Sequence, residues 1–442
     1  MAREEVQVQA RSTVVPSYPT PTFYHPLCDL VTATKDLYMH SIYYFSDNQS
    51  CSAEGKKIAS LKISLSAVLS QYPVVSGRLR AQESGGLIIK CNDAGMRCLE
   101  ASTKSSLREF LQAKEGILET ELYPSEPKLM NHTLNSLAMI QITEFSCGGI
   151  AIGLSWSHAV ADAFAMTLFM KAWGEVHRGQ KIQIPPVIHS SLERQDQGDS
   201  RSLPRLVHDV FFPGKQASTG KEGRELRTVM LHFSAKAMQS FEREICNGSS
   251  EDGSSTNKSF VAITALLWRS ISLARSQMTQ PPSCIIFREN RKLQTPSLPD
   301  GYFGNALQIV TVSDHSMAGE LSQTAKLLRE RLDQVCGDHD EATRMAGDLQ
   351  ADALLCYWAD LPFYEVELNF GKPIQVTCGV ETPTRRESFF LQPASAAGDD
   401  PHSARSVDAV ISLQPQHLQI LLQDEFFLKF LKGRDNSRVV QD

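Results

Sequence analysis

The chain has 442 residues, of which 42% are hydrophobic and 21% charged, and its formal net charge is −6. Apolar and charged contents near the average for globular proteins exclude a disordered or fibrous chain. The acidic balance gives no global attraction to nucleic acid or anionic lipid, so no nucleic-acid partner is predicted. This length exceeds what one hydrophobic core usually serves and predicts two domains of roughly 200 residues each.

The spacing of the cysteines tests for a metal site, and the length of the apolar runs tests for a signal peptide or a membrane-spanning segment. Among 10 cysteines the closest pair, Cys91 and Cys98, is separated by a wider gap than zinc ligands usually show. We therefore expect reduced thiols and no bound metal. The polar segment after Met1 lacks the apolar core of a signal peptide, and no apolar run approaches membrane-spanning length. These features predict a cytoplasmic chain without a transmembrane segment, and we expect it to be a monomer.

The first half of the sequence mixes strand and helix patterns. Apolar periodicity predicts strands at Glu5–Val15, Ile42–Phe45, Gly85–Ile89, Leu137–Phe145 and Ile150–Trp156, and helices at Lys57–Tyr72 and Ala161–Val176. Gly148 and Gly149 supply the backbone freedom for a tight turn between the last two strands. The pattern therefore predicts a hairpin that leads directly into a helix.

The second half begins after a stretch rich in proline, serine, glycine and charge, which is typical of a long crossover. Beyond it the patterns predict helices at Ser234–Ile245, Ser259–Ser276 and Pro415–Leu431, and strands at Cys284–Phe287, Leu307–Val312, Pro373–Cys378, Ser388–Leu391 and Val407–Leu413. The sequence thus predicts an α/β fold with a first domain at 1–185, a crossover linker at 186–222 and a second domain at 223–442.

The most informative short pattern places His158 and Asp162 where the last strand of the hairpin gives way to helix. The spacing alone is weak evidence, because His25 and Asp29 repeat it in another context. A neutral imidazole at such a junction can accept a proton from an alcohol or amine that attacks a thioester. The alternative is a hydrogen-bonded histidine at a domain interface.

Several landmarks occur in a fixed order along the chain. They are Val15–Pro21, Tyr72–Arg78, Phe145–Gly149, His158–Asp162, Ser259–Trp268 and Tyr302–Asn305. Each is weak by itself, but their joint order is specific. With them the chain resembles the plant BAHD acyltransferases, which carry an HxxxD motif, over nearly its whole length.

The resemblance implies two chloramphenicol-acetyltransferase-like domains with a channel at their interface, which admits acyl-CoA and an acceptor. His158 would be the general base, and no metal, permanently bound cofactor or covalent enzyme intermediate is implied. Asp162 would be a structural residue that pairs with an arginine rather than a charge-relay partner. Arg288 and Arg291 are the candidates for that arginine, and the sequence leaves both open.

Two departures from the family pattern stand out. The family usually has Asp-Phe-Gly-Trp-Gly before a basic residue and proline, whereas this chain has Glu367, Leu368, Asn369, Phe370 and Gly371. We expect a folded domain, with a loop altered enough to weaken CoA binding or domain closure.

The second departure is Ala163, which replaces the family's usual glycine after the aspartate. Both departures, together with Cys91–Gly95, Gly148–Trp156 and Tyr364–Asn369, make the chain similar to the Eceriferum-two-like branch of cuticular wax biosynthesis. That likeness implies very-long-chain fatty acid elongation beside an elongase condensing enzyme, a 3-ketoacyl-CoA synthase, at the cytosolic face of the endoplasmic reticulum. The alternative is an active acyl-CoA-dependent O- or N-acyltransferase with His158 as its base.

Overall fold

The chain is described here by a computed structural model that covers most of its helices and strands. The described residues are 5–27, 35, 37–47, 56–82, 86–114, 120–124, 135–188, 226–246, 255–274, 283–289, 291, 298–313, 320–334, 353–381, 387–394 and 406–431. The contacts divide the chain into two compact units. Unit 1 is Met1–Val207, Leu298–Ala306 and Leu361–Thr382, and unit 2 is His208–Ser297, Leu307–Asp360 and Pro383–Asp442. The units are therefore interleaved along the chain.

Both units mix strands and helices, which confirms the predicted α/β class. The strands are β1 (Gln7–Val14), β2 (Phe23–Pro26), β3 (Tyr38–Phe45), β4 (Arg78–Ala81), β5 (Leu87–Cys91), β6 (Met96–Thr103), β7 (Ala138–Phe145), β8 (Ile150–Ser157), β9 (Arg227–Phe233), β10 (Ser283–Glu289), β11 (Leu307–Ser313), β12 (Ala353–Tyr357), β13 (Gln375–Glu381), β14 (Glu387–Pro393) and β15 (Val407–Leu413). The helices are α1 (Lys56–Leu69), α2 (Leu107–Lys114), α3 (Ala163–His177), α4 (Ala235–Cys246), α5 (Ser255–Ala274), α6 (Leu321–Gln334), α7 (Pro415–Gln423) and α8 (Glu425–Leu431). A 3-10 turn spans Phe363–Glu365.

Unit 1 is built on a six-stranded sheet of order β1-β6-β7-β8-β3-β13, with a separate three-stranded sheet of order β2-β5-β4. Only β6 and β7 pair in parallel in the larger sheet. Every residue of β8 is buried, as expected for a continuous apolar run covered on both faces. A Cβ on Gly153 would lie 1.9 Å from the backbone oxygen of Leu122, so the 120–124 segment lies directly on β8.

Helices α1 and α3 pack against each other in unit 1. The Trp173 indole donates hydrogen bonds to the Leu61 carbonyl, at 3.3 Å, and to the Ser64 hydroxyl, at 3.0 Å. Phe169 meets Tyr72 edge to face, with ring centroids 5.1 Å apart. These contacts fix the helix that begins just after the His158–Asp162 pattern.

Unit 2 is built on a six-stranded sheet of order β11-β10-β12-β14-β15-β9, in which β12 pairs in parallel with both neighbours. Its core joins apolar residues of the sheet to those of α4 to α8. The predicted helix Pro415–Leu431 is wrong as one helix, because Asp424 interrupts it. Asp424 is extended, and its carboxylate accepts the Phe426 N–H at 3.0 Å to start α8.

The predicted hairpin is confirmed as β7 and β8, with Gly148 in the left-handed region at φ +80°. The predicted crossover lies outside the described residues from residue 189 onward, so the domain bounds stay a prediction. None of the described helices is long and apolar enough to cross a membrane.

Candidate active site at His158

His158 follows the last residue of β8 and is only 6% exposed. Its backbone N–H donates to the Leu37 carbonyl at 2.8 Å, which continues the pairing between β8 and β3. The Ser157 hydroxyl donates to the Lys35 carbonyl at 2.8 Å and accepts the Ala159 N–H at 3.2 Å. The strand end therefore fixes the backbone that carries the imidazole.

Burial lowers the pKa of the His158 imidazole from 6.5 to about 4. The negative charge of Asp162 and a hydrogen bond from the ring to its own backbone carbonyl oppose this shift in pKa but do not cancel it. The imidazole is therefore neutral at neutral pH, as a general base requires.

Asp162 is 1% exposed, and both of its carboxylate oxygens accept backbone hydrogen bonds. Oδ1 caps α3 by accepting the Ala165 N–H at 2.9 Å, and Oδ2 accepts the Ala306 N–H at 2.8 Å. The Asp162 N–H donates to the Gly304 carbonyl at 3.3 Å. The carboxylate thus joins the strand-to-helix junction to a distant loop, which supports a structural role.

The two arginines considered as partners of Asp162 both belong to unit 2. Arg291 is buried there, and its backbone N–H donates to the Glu289 carboxylate at 2.5 Å. The side chain of Arg288 lies outside the described part of the structure. An arginine partner for Asp162 stays a prediction.

Residues 304–306 form a clasp on the junction that the sequence did not reveal. Besides the two contacts with Asp162, the Asn305 amide Nδ2 donates to the backbone carbonyl of His158 at 2.9 Å. Phe303 anchors the clasp, because its ring meets Tyr72 edge to face with centroids 5.0 Å apart. The Tyr302–Asn305 landmark was the available signal, but it carried no indication of its contacts.

Ala163, the first residue of α3, is 4% exposed. Its carbonyl accepts a hydrogen bond from the Thr167 hydroxyl at 2.7 Å. The methyl group that replaces the family's glycine hydrogen is therefore buried beside Asp162.

The altered segment at residues 367–371 packs against the opposite end of α3. The Asn369 side-chain amide donates to the His177 carbonyl at 2.8 Å, and its backbone N–H donates to Nδ1 of His177 at 3.2 Å. Arg178 donates to the Glu367 carbonyl at 2.7 Å and pairs with its carboxylate at 2.8 Å. The phenyl ring of Phe370 meets Phe45 edge to face, with centroids 5.2 Å apart.

Within this segment the backbones of Leu368 and Gly371 exchange two hydrogen bonds of 2.9 Å, and Gly371 has φ +107°. Since α3 has 15 residues, the segment lies about 20 Å along the helix from the His158 junction. The substitutions therefore leave a folded turn that does not touch the imidazole. The expected weakening of CoA binding or closure stays a prediction.

The other His-to-Asp spacing lies only partly within the described residues. His25 is buried in β2, opposite Ile89, and Asp29 is outside the described residues. In the part of the chain that the structure describes, no cluster of three or more histidine, cysteine, aspartate or glutamate side chains has the arrangement of a metal site.

Stability should depend on pH through His158. Its pKa is about 4 in the folded chain, against 6.5 as the ordinary value, so the unfolded chain binds more protons between those pH values. Stability from this residue is then complete above pH 6.5 and declines as the pH falls toward 4, by at most about 3 kcal/mol. Urea unfolding of the wild type and His158→Asn at several pH values measures this difference. Identical pH dependence of the two proteins would contradict it.

Comparison with known proteins identifies the family. The model of the Transferase family matches residues 4–428. The chain belongs to this family, the BAHD acyltransferases. The HxxxD motif of the BAHD chain is the His158–Asp162 junction described above.

Curated relatives of this BAHD chain are plant proteins. Hydroxycinnamoyltransferase 2 of Oryza sativa subsp. japonica is 25% identical over 94% of the chain and 98% of the relative. Protein ECERIFERUM 26-like of Arabidopsis thaliana is 24% identical over 84% of the chain and 85% of the relative. Fatty alcohol:caffeoyl-CoA acyltransferase of Arabidopsis thaliana is 26% identical over 86% and 89%.

Solved structures share the fold. Vinorine synthase superposes with a TM-score of 0.71 at 18% identity, covering 96% of this chain and 98% of that one. TRI101 of F. graminearum, in a complex with ethyl coenzyme A, superposes with a TM-score of 0.69 at 16% identity, covering 93% and 99%. The likeness confirms the predicted fold of two chloramphenicol-acetyltransferase-like domains.

Proposed function

We propose that this BAHD protein binds very-long-chain acyl-CoA and promotes its elongation for cuticular wax, beside a 3-ketoacyl-CoA synthase at the cytosolic face of the endoplasmic reticulum. The observation that carries the proposal is the match to Protein ECERIFERUM 26-like over 84% of the chain, together with the branch's characteristic segments. The ethyl coenzyme A complex of TRI101 supports a CoA thioester as a ligand, and the name of the fatty alcohol:caffeoyl-CoA acyltransferase supports a long alkyl chain on one of the two substrates.

Two of the three segments typical of the branch, Cys91–Gly95 and Tyr364–Asn369, are held in unit 1 by contacts that do not involve His158. The third, Gly148–Trp156, is the hairpin turn and β8, which lead directly to His158. In Cys91–Gly95, Asp93 is left-handed at φ +52° and accepts the N–H and hydroxyl of Thr20 at 2.7 and 2.6 Å. Arg78 donates to the Gly95 carbonyl at 2.8 Å from the other side. In Tyr364–Asn369 the contacts run to α3, as described above. These contacts build the two segments into the folded unit, which fits a retained thioester site with a changed role.

A physical basis for elongation follows from the ligand's long apolar tail. Each methylene removed from water favours binding by about 0.8 kcal/mol, so a short added groove would bias chain length strongly. A protein that holds the tail while the synthase forms the carbon–carbon bond needs a thioester site but no acyl transfer. His158 is then dispensable for elongation.

An acyl-CoA-dependent O- or N-acyltransferase is the second candidate, and the neutral imidazole of His158 favours it. The imidazole would accept the proton of the acceptor as its oxygen or nitrogen attacks the thioester carbon. The carbon–sulfur bond then breaks, and the imidazolium returns the proton to the thiolate as free CoA leaves. Asp162 would hold the junction during this step.

One paired assay separates the two functions. Wild type, His158→Ala and His177→Ala are each co-expressed with a condensing enzyme, and each purified protein is given acyl-CoA with an alcohol or amine. Elongation predicts longer acyl products from wild type and from His158→Ala alike in the co-expression, and no release of CoA when the purified protein alone is given acyl-CoA with an alcohol or amine. His177→Ala controls for loss of a buried imidazole elsewhere in unit 1, at the far end of α3.

Acyl transfer predicts the opposite pattern in that assay. Wild type and His177→Ala would release CoA, and His158→Ala would lose at least about 100-fold in rate. If the increase in acyl chain length is lost in His158→Ala but kept in His177→Ala, the non-catalytic role is contradicted. Absence of both activities in the wild type would overturn both candidates.

A further inference from the structure

A surface strap at residues 15–24, which leads from β1 into the start of β2, carries several exposed large apolar side chains of unit 1. They are Val15, Tyr18, Phe23 and Tyr24. The tyrosines are the most accessible of them, with 74% of Tyr18 and 57% of Tyr24 exposed. Neighbouring apolar side chains that stay exposed in a folded chain are typical of an interaction surface.

The strap is fixed to helix α1 by hydrogen bonds of its backbone. The Ser66 hydroxyl donates to the Val15 carbonyl at 2.7 Å, and the Tyr18 N–H donates to the Ser70 hydroxyl at 3.2 Å. Ile63, which is 73% exposed, lies on α1 one turn before Ser66 and so extends the apolar surface of the strap onto the helix. Because the strap is already held in place, binding to it does not require a segment to become ordered.

The strap continues into the small sheet of order β2-β5-β4, and one face of this sheet is basic. Lys90 of β5 lies directly opposite both Tyr24 of β2 and Arg78 of β4, so these three residues share one face. Arg80 is two positions beyond Arg78 and lies on the same face, whereas Leu79 between them is buried on the other. The exposed Tyr24 is therefore in one row with two basic residues.

The charge on this face is opposite in sign to the charge of the whole chain. None of the residues of β2, β4 and β5 is acidic, although the formal net charge of the chain is −6. The Arg78 guanidinium donates to the Ala94 and Gly95 carbonyls at 3.1 and 2.8 Å, and these neutral groups do not cancel its charge. Exposed tyrosines beside lysine and arginine suit the surface of an anionic membrane, where aromatic rings lie among the headgroups and basic side chains meet the lipid phosphates.

We propose that the strap and the basic face of the small sheet form a docking surface for an anionic phospholipid membrane. None of the described helices can span a bilayer, so the contact assigned to this surface is peripheral. The inference deepens the location that we propose for the protein, at the cytosolic face of the endoplasmic reticulum. Vesicle binding needs neither a synthase nor acyl-CoA, so it is tested separately from elongation.

The test measures flotation of the purified full-length chain with two kinds of vesicle, phosphatidylcholine alone and phosphatidylcholine with about 30 mol% phosphatidylinositol. Wild type is expected to bind the anionic vesicles at least about 10-fold more tightly, and added salt should weaken this binding. Lys90→Glu replaces a positive charge by a negative one and should weaken binding to the anionic vesicles by about 30-fold. Tyr18→Ser and Tyr24→Ser should each weaken it by about 5-fold.

Two variants in unit 2 are the matched controls. Lys236→Glu, at an exposed position of α4, changes the net charge as Lys90→Glu does. Ile420→Ser removes an exposed apolar side chain from α7. Both should bind the anionic vesicles within about 2-fold of wild type. Equal losses in Lys90→Glu and Lys236→Glu would show that only net charge matters, and the proposed surface would then be wrong.

Other outcomes also decide the inference. Failure of the wild type to bind anionic vesicles, or equal binding to both kinds of vesicle, overturns it. Self-association of the wild type without vesicles, if lost in Tyr18→Ser, would make a second copy of the chain the occupant and overturn it as well. Tyr18 is largely exposed, so Tyr18→Ser keeps the test decisive if Lys90→Glu or Tyr24→Ser does not fold. Vesicle binding without elongation keeps the inference and removes only the proposed function.

Discussion

The free energy of unfolding is expected to fall by about 2–5 kcal/mol when Asp162 is replaced by alanine. The variant loses the cap on α3, worth about 1–2 kcal/mol, and leaves the buried Ala306 N–H unpaired, at about 1–3 kcal/mol. Denaturation by urea, followed by circular dichroism, measures the change. The loss should be accompanied by loss of any His158-dependent activity, since both depend on the junction.

Ser106→Ala provides a matched control at an exposed helix start. Ser106 precedes α2, and its hydroxyl accepts the Glu109 N–H at 3.3 Å, while the Glu109 carboxylate accepts the Ser106 N–H at 2.9 Å. Removing this cap should cost about 1 kcal/mol. Asp162→Asn should keep the cap, because its amide oxygen can still accept the Ala165 N–H. It should lose the bond to Ala306, because an amide nitrogen in place of Oδ2 cannot accept a hydrogen bond. Equal losses in Asp162→Ala and Ser106→Ala would show that the clasp contributes nothing.

The sequence predicted the parts of the site that are local along the chain. Two apolar runs separated by Gly148 and Gly149 predict a hairpin from local sequence alone. Apolar residues at helical spacing predict α3 in the same way. His158 and Asp162 lie between these elements, so their position at the junction followed from periodicity alone. The neutral state of the imidazole did not, because the lowered pKa of His158 depends on burial by the whole unit.

The clasp could not be predicted in the same way. Asn305 is separated from His158 by 147 positions, and its segment joins unit 1 from within the second half of the chain. The hydrophobic periodicity of a sequence does not predict which backbone carbonyl will accept a hydrogen bond from a side-chain amide in a loop. The predicted division into 1–185 and 223–442 has the same weakness, because a linear boundary takes no account of segments that return.

The altered segment at 367–371 makes contacts that the sequence alone did not predict. Replacing the family's residues suggested a weakened loop, yet Glu367 pairs with Arg178 and Asn369 bonds the last carbonyl of α3. Arg178 lies just beyond the helix, far from the segment in sequence, so the compensation was invisible. The effect of the substitutions on CoA binding and on His158 stays a prediction.

Gly174→Ala should lower the free energy of unfolding by about 2–3 kcal/mol, although alanine is favoured over glycine within a helix by about 1 kcal/mol. A Cβ on Gly174 would lie 2.4 Å from the Glu367 carbonyl oxygen. That oxygen cannot easily move, because Arg178 donates to it at 2.7 Å. Thermal and urea unfolding measure the change in the free energy of unfolding. Its sign shows whether the clash with the Glu367 carbonyl outweighs the higher helix propensity of alanine.

Gly86→Ala is the control for this substitution, since its new methyl group would be 3.5 Å from the flexible Gln82 side chain and should change stability by less than about 0.5 kcal/mol. Because Gly174 lies near the end of α3 and His158 precedes its start, the ring NMR signal of His158, assigned by its absence in His158→Ala, should be unchanged in folded Gly174→Ala protein. A neutral or stabilising effect would mean that the 367–371 segment does not pack on α3. A moved His158 signal would instead mean that the segment and the junction are coupled through the helix, and the altered family motif would then bear directly on the imidazole.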